Sequence, residues 1–207
     1  MKTARQTARE LALLALSQLP NNPARLESQD LQDVILAAVR ALATDVQDTL
    51  ETAAAELQRG NDRLLSSQIR AADLPSSRTM IYEAIELAQT AINRLGTAIE
   101  VPEMIQLSNQ KDVRSYSIEI VKSVKGNLAE IDQVLREALV DWQLERLPRV
   151  DRDILRIATA EIMFLGIPEK IGTNEAVELA KRYSSEDGYR FINGVLRRVV
   201  DKLKVGK

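Results

Sequence analysis

Between Leu147 and Lys204 the chain reads LPRVDRDILRIATAEIMFLGIPEKIGTNEAVELAKRYSSEDGYRFINGVLRRVVDKLK, three apolar-periodic segments separated by two short breaks. This stretch constrains the fold tightly, because each segment carries its own start or stop signal. Pro148 precedes the first, where a missing N–H costs a helix nothing, and Asp151 and Asp153 set negative charge against the positive end of its dipole. Val150, Ile154, Ile157, Ala158, Ile162 and Leu165 repeat at helical spacing until Gly166 and Pro168 end the run. The second segment begins near Ile171 and offers Ala176, Val177, Leu179, Ala180 and Tyr183 for burial. Ser184 stands three residues before Asp187, a capping-box spacing that opens the third segment, whose stripe is Ile192, Val195, Leu196, Val199 and Leu203. Asn193 and Gly194 interrupt that helix, and a mid-helix glycine costs roughly 1 kcal/mol relative to alanine. The expectation is that a neighbouring helix approaches closely at Gly194 and that Asn193 hydrogen-bonds within the core.

The rest of the chain is helical in pattern as well. Thr3 to Leu19 reads as an amphipathic helix burying Ala8, Leu11, Ala12, Ala15, Leu16 and Leu19, with Lys2, Arg5 and Arg9 on one stripe. Positive charge at a helix N-terminus opposes the macrodipole, so the stripe is locally unfavourable; a solvated face and a functional one remain open readings. Pro20-Asn21-Asn22-Pro23 marks a linker. Ile35, Ala38, Leu42, Val46, Leu50, Ala53 and Leu57 keep to one helical face before Gly60-Asn61 interrupts, and Ile81, Ile85, Ala88, Ile92, Leu95 and Ile99 form a second stripe before Val101-Pro102. Two long helices in an antiparallel hairpin follow, their apolar faces covered by each other or by the main body. From Lys111 to Leu139 the pattern is helical again, with a pause at Gly126-Asn127. No segment shows strand-like alternation, so the fold class is all-α.

The blocks Ile167-Pro168, then Thr173-Asn174-Glu175-Ala176-Val177-Glu178-Leu179-Ala180-Lys181, then Ser185-Glu186-Asp187 and Phe191-Ile192-Asn193-Gly194-Val195-Leu196 resemble, in order and spacing, the C-terminal half of the bacterial NusB family of transcription antitermination factors. The resemblance extends more weakly to Ala8-Arg9-Glu10-Leu11-Ala12-Leu13 and to about 111–139, and leaves about 21–108 outside it. It implies two packed helical bundles, an N-terminal one over 1–139 carrying a long helical insertion at about 21–108 and a C-terminal one over 140–207. It also implies binding of single-stranded boxA RNA of nascent ribosomal transcripts together with NusE, a small-subunit ribosomal protein, within the transcription complex of RNA polymerase. Lys2, Arg5, Arg9, Arg152 and Arg156 are then the candidate phosphate contacts. Asp187 matches a position on the family's RNA surface, and Asp151 one that contacts NusE. Gln6 and Thr7 stand where further arginines are common in the family, which points to weaker or redistributed RNA affinity. Some relatives dimerise, so a homodimer is among the implied assemblies.

Composition narrows the function. The 207 residues include no cysteine and no histidine, which removes thiolate nucleophiles, disulfides, the usual zinc sites and histidine general bases together. No apolar run approaches the roughly 20 residues a membrane span needs, so a cytoplasmic protein is expected. The formal net charge of −2 argues against a nonspecific nucleic-acid coat, yet it hides an acidic stretch from Asp45 to Asp62 and a basic one from Arg197 to Lys207. NusB-like domains also occur fused to an RNA cytosine methyltransferase, but all eight glycines here are isolated and the nucleophile is absent, so no enzyme and no cofactor are expected. A non-enzymatic helical adaptor, binding protein partners through its long amphipathic helices, is the competing reading.

Overall fold

A computed structural model describes residues 3–18 and 31–205 of the chain. Lys2 and the Pro20–Pro23 linker lie outside the described residues. Among those described there is no strand: the elements are α1 (Ala4–Gln18), α2 (Leu31–Ile69), α3 (Leu74–Ser108), α4 (Lys111–Gly126), α5 (Leu128–Ala138), a 3-10 turn at Leu144–Arg146, α6 (Arg149–Phe164), α7 (Glu169–Tyr183) and α8 (Gly188–Val205). They form two compact units, Met1–Ala38 with Leu107–Lys207, and Val39–Gln106. The division falls near the two ends of the long hairpin.

In the first unit α6 is the central element, packed against α1, α4, α5, α7 and α8. Its sequence explains the position. Ile154, Leu155, Ile157, Ala158 and Ala160 are all buried, so its apolar surface spreads beyond a single stripe. Each fully buried Leu or Ile contributes about 1.5–3 kcal/mol relative to exposure. The helix starts after Pro148, and the chain turns at Gly166, whose φ of +67° is a left-handed conformation that suits glycine.

The close helix crossing expected at Gly194 occurs elsewhere. A Cβ on Gly172 of α7 would lie 2.9 Å from Cγ1 of Ile162, which brings α7 tightly onto α6. Around Gly194 a Cβ would meet only the tip of the Arg198 side chain, at 3.9 Å. Asn193 is half-buried and lines a groove with Asn174, Arg197 and Lys204 instead of bonding in the core. Gly194→Ala is therefore expected to stabilise the protein by about 0.5–1 kcal/mol, the helix-propensity difference. Thermal melts of the variant check this, and a lowered Tm would restore the close-packing account.

The second unit is an antiparallel hairpin, and two expected breaks are continuous helix: α2 runs through Gly60 and α3 through Pro102. The seam between the helices is built of small residues. Ala53, Gly60 and Ser67 recur every seven positions on α2, as do Ser77, Ala84, Ala91 and Ala98 on α3. A Cβ on Gly60 would lie 3.2 Å from the Ala84 carbonyl oxygen, and the Ser77 hydroxyl donates to the Ser67 carbonyl at 3.1 Å. Helices this close have no room for large side chains between them. Leu50, Leu57, Ile81, Ile85 and Ile92, expected to be covered, are consequently exposed.

Candidate nucleic-acid interface

Helix α1 begins with a feature the sequence reading missed. The Thr3 backbone N–H donates to the Gln6 side-chain carbonyl at 3.0 Å and the Gln6 N–H to the Thr3 hydroxyl at 3.2 Å, a reciprocal capping box. Gln6, which departs from the arginine pattern of the family, thus fixes the helix start. The basic stripe then divides. Arg5 is exposed, its guanidinium 5.5 Å from the centre of the Tyr116 ring.

Arg9 is 3% exposed and lies inside the protein, so the expectation of a surface phosphate contact does not match its position. Its Nε donates to both Glu161 oxygens at 2.9 Å, and Nη1 lies 3.2 Å from a Glu175 oxygen. The cause is Glu161, a carboxylate on the central helix that is 1% exposed and needs a cation and donors at hand. Tyr116 supplies a further donor, its hydroxyl bonding to Glu161. Burial alone would lower the Arg9 pKa, but the Glu161 hydrogen bond and the charges around it hold it above its usual value. Burial and the Glu161 carboxylate push the Tyr116 phenol up, so it remains a donor.

The start of α6 holds three more candidates. Arg156 is engaged with two aspartates: Nε and Nη2 donate to the two Asp132 oxygens, each at 2.8 Å, and Nη1 donates to Asp153 at 3.3 Å. This fork clamps α5 to α6 and leaves the side chain 17% exposed, so Arg156 too is structural where a free surface cation was expected. Arg152 is half-buried and makes no ion pair among the described residues, and its Nε has no hydrogen-bond partner. Asp151 is 5% exposed, with its carboxylate accepting the Ser184 hydroxyl from the end of α7. Ser184 therefore ties α7 to α6 and does not complete a capping box with Asp187. It also fills the space over Gly188, where a Cβ would sit 1.9 Å from the hydroxyl oxygen.

Asp187 is exposed at the N-terminal boundary of α8, where its carbonyl accepts the Arg190 and Phe191 N–H groups. Its carboxylate accepts from Arg190 Nη1 at 2.9 Å. Beside it stands a group not singled out from the sequence. Tyr189 has Lys181 Nζ 6.0 Å and the Arg190 guanidinium 5.5 Å from its ring centre, and Arg190 Nε donates to its hydroxyl at 3.0 Å. Lys181, Asp187 and Arg190 are all exposed. Trp142, 58% exposed, packs edge-on against Phe191 at 5.8 Å between centres. The local signal was the run Gly188-Tyr189-Arg190-Phe191, two aromatics interleaved with a cation. The basic C-terminal stretch contributes less free charge than its composition suggests, since Lys202 faces Glu137 at 3.6 Å and Lys204 faces Glu169 at 2.8 Å.

This arrangement separates two sets of charges. Arg9 and Arg156 hold helices together in low-exposure ion pairs, whereas Arg5, Lys181 and Arg190 present cations beside tyrosine rings at the surface. Cations and aromatic faces together suit a flexible polyanion carrying flat bases. Among the described residues no cluster of acidic side chains could hold a metal ion, and no helix is long and apolar enough to cross a membrane.

The NusB family model matches residues 75–201, starting well before Lys111 and taking in α3, which the resemblance had left outside. The transcription antitermination protein NusB of Trichodesmium erythraeum is 66% identical over 204 residues, covering 99% of both chains. Among solved structures, T. maritima NusB aligns with a TM-score of 0.54 at 23% identity, over 98% of this chain and 94% of that one. A structure of the antitermination factors NusB and NusE in complex with double-stranded RNA aligns with a TM-score of 0.53 at 19% identity, over 98% and 99%. These two likenesses concern the fold.

Proposed function

This chain belongs to the NusB family of transcription antitermination factors, which are not enzymes, and on that premise we propose that it binds the boxA element of nascent ribosomal transcripts as a single strand, together with NusE, in the cytoplasmic transcription complex of RNA polymerase. The observation that carries this reading is the pairing of exposed cations with tyrosine rings, Lys181 and Arg190 at the half-buried Tyr189 beside Asp187, and Arg5 at Tyr116. Arg5, Lys181 and Arg190, with Arg152 and Lys2, neutralise phosphates. Tyr189 offers a face on which an unstacked base can lie, already flanked by two cations. The Asp187 carboxylate accepts from an exocyclic amino group of a base. Arg9 and Arg156 act beneath this surface, by fixing the helices that carry it. NusE docks at the start of α6, where Asp151 holds the turn through Ser184. The structural neighbour that contains NusB, NusE and double-stranded RNA together supports RNA and NusE as the kinds of partner.

The test is a titration of fluorescent boxA RNA against a scrambled control, with and without NusE, over a range of salt concentrations. Arg5→Ala and Arg190→Ala are each expected to reduce the slope of log K against log salt by about 0.7 for a single strand. Tyr189→Ala is expected to cost about 1–3 kcal/mol of binding, with Tyr189→Phe close to the parent. Equal affinity for boxA and scrambled RNA under both conditions would favour the adaptor reading instead.

A further inference from the structure

The hairpin of the second unit has two unlike faces, and their difference follows from its small-residue seam. At about 100° per residue, Leu57 and Leu64 fall roughly 40–60° to one side of Gly60, and Glu56 and Arg63 fall to the other. The second side is saturated with charge: Glu56 accepts from Arg94 at 2.9 Å, and Arg63 faces Glu83 at 2.9 Å. Those contacts place Glu83 and Arg94 of α3 on that same side. By the same rotation Ile81, Ile85 and Ile92 stand on the first side, with Leu57 and Leu64. The resulting face is aliphatic. Leu50, Leu57 and Leu64 recur every seven residues on α2 and are 44%, 46% and 42% exposed, while Ile85 and Ile92, also seven apart on α3, are 48% and 63% exposed.

The geometry points to a second copy of this chain as the occupant of this face, two hairpins pairing about a two-fold axis into a four-helix bundle. A seven-residue apolar repeat on two antiparallel helices fits other helices of the same repeat, and a two-fold axis places the patch on itself. Charge argues the same way. Leu50, Leu57, Leu64, Ile85 and Ile92 bring no charge to the face, Arg78 stands at its end seven residues before Ile85, and the ion pairs across the seam lie on the opposite side, so a nucleic acid or a charged peptide finds little complement here. Size agrees too. The stretch Val46–Leu65 is about 29 Å of helix at 1.5 Å per residue, and two helices side by side are roughly 20 Å wide, giving about 600 Å² in projection. That is the order of the roughly 800 Å² per partner that a stable interface buries. None of the residues placed in RNA binding above lies on this hairpin, so the dimer and the RNA reading stand or fall separately.

Sedimentation velocity on the full-length chain, from low to high micromolar concentration, tests the proposal. The expected result is a concentration-dependent dimer that Leu57→Glu and Ile85→Glu each weaken at least tenfold, with helicity by circular dichroism unchanged and RNA affinity retained. Ala55→Glu, an exposed position off the face, should leave the dimer intact. Because the chain has no cysteine, Leu57→Cys supplies a single thiol that needs no disruptive charge. It should form an intermolecular disulfide under mild oxidation, and Ala55→Cys should not. A monomer at every concentration, or a dimer indifferent to both glutamates and uncrosslinked through Leu57→Cys, overturns the proposal. So does a monomer whose sedimentation with phosphatidylcholine vesicles is lost in Leu57→Glu, which would assign the face to lipid.

Discussion

Arg9→Ala is expected to lower stability by about 3–5 kcal/mol, whereas Arg5→Ala, one helical turn away, should leave the melting temperature unchanged. Removing the Arg9 guanidinium leaves the Glu161 carboxylate, 1% exposed, with the Tyr116 hydroxyl as its remaining hydrogen-bond donor in the present arrangement. A buried charge without its counter-charge is among the few single changes that reach this size. At about 2–4 °C per kcal/mol for a protein of this length, the Tm should fall by roughly 6–20 °C. Arg9→Met separates charge from packing, because methionine keeps most of the apolar stem. It should be nearly as destabilised as alanine if the loss is electrostatic. Replacing the buried polar group, with Arg9→Met, Tyr116→Phe and Glu161→Leu together, should recover much of the loss, since the buried Glu161 charge goes with its partners and the less buried Glu175 keeps Gln6 as a donor. A parent-like melt for Arg9→Ala would return this residue to the list of surface cations. Urea titration and RNA binding measured on the same samples distinguish the two roles.

The contrast between Arg5 and Arg9 shows where the sequence stops being informative. Both lie on one stripe of one helix, and helical spacing says they are neighbours. What separates them is Glu161, 152 positions away, brought to the Arg9 side by α6. No local pattern contains that fact. The α6 stripe, the stops at Gly166 and Pro168, and the pause at Gly126-Asn127 were legible because propensity and periodicity act over a few residues and tertiary packing agreed with them. The Thr3-to-Gln6 capping box is equally local, since its Thr-x-x-Gln spacing stands in the sequence itself. The hairpin misled in a different way. Hydrophobicity ranks Leu57 and Ile85 above Ala53 and Ala84, yet close helix approach selects for small volume, so the seven-residue repeat of small residues was the seam and Gly60 was part of it. Asp151 shows the same limit as Arg9: its place at a helix N-terminus could be read, but its partner Ser184 depends on how α7 returns to α6.

Arg156→Ala should cost about 3–5 kcal/mol at neutral pH, and the deficit should shrink as the pH is lowered toward 4. The guanidinium links Asp132 and Asp153, both under 10% exposed, and its removal leaves two carboxylates close together without their main cation. Burial already raises the Asp153 pKa above the usual carboxylate value, against the lowering influence of Arg156, Arg149 and Arg152. With Arg156 gone the folded-state pKa rises further, while the unfolded chain keeps its value near 3.9. A group whose folded pKa exceeds its unfolded pKa destabilises the native state at high pH. That penalty is relieved as pH falls through the folded pKa, because the native state takes up its proton first. The variant should therefore gain on the parent as the pH falls, since its Asp153 pKa stands further above the unfolded value than the parent's does. Melting both proteins at intervals between pH 7 and pH 4 gives the difference directly. A deficit that stays constant across this range would mean that Arg156 acts through packing of its stem between α5 and α6, with the ion pairs contributing little.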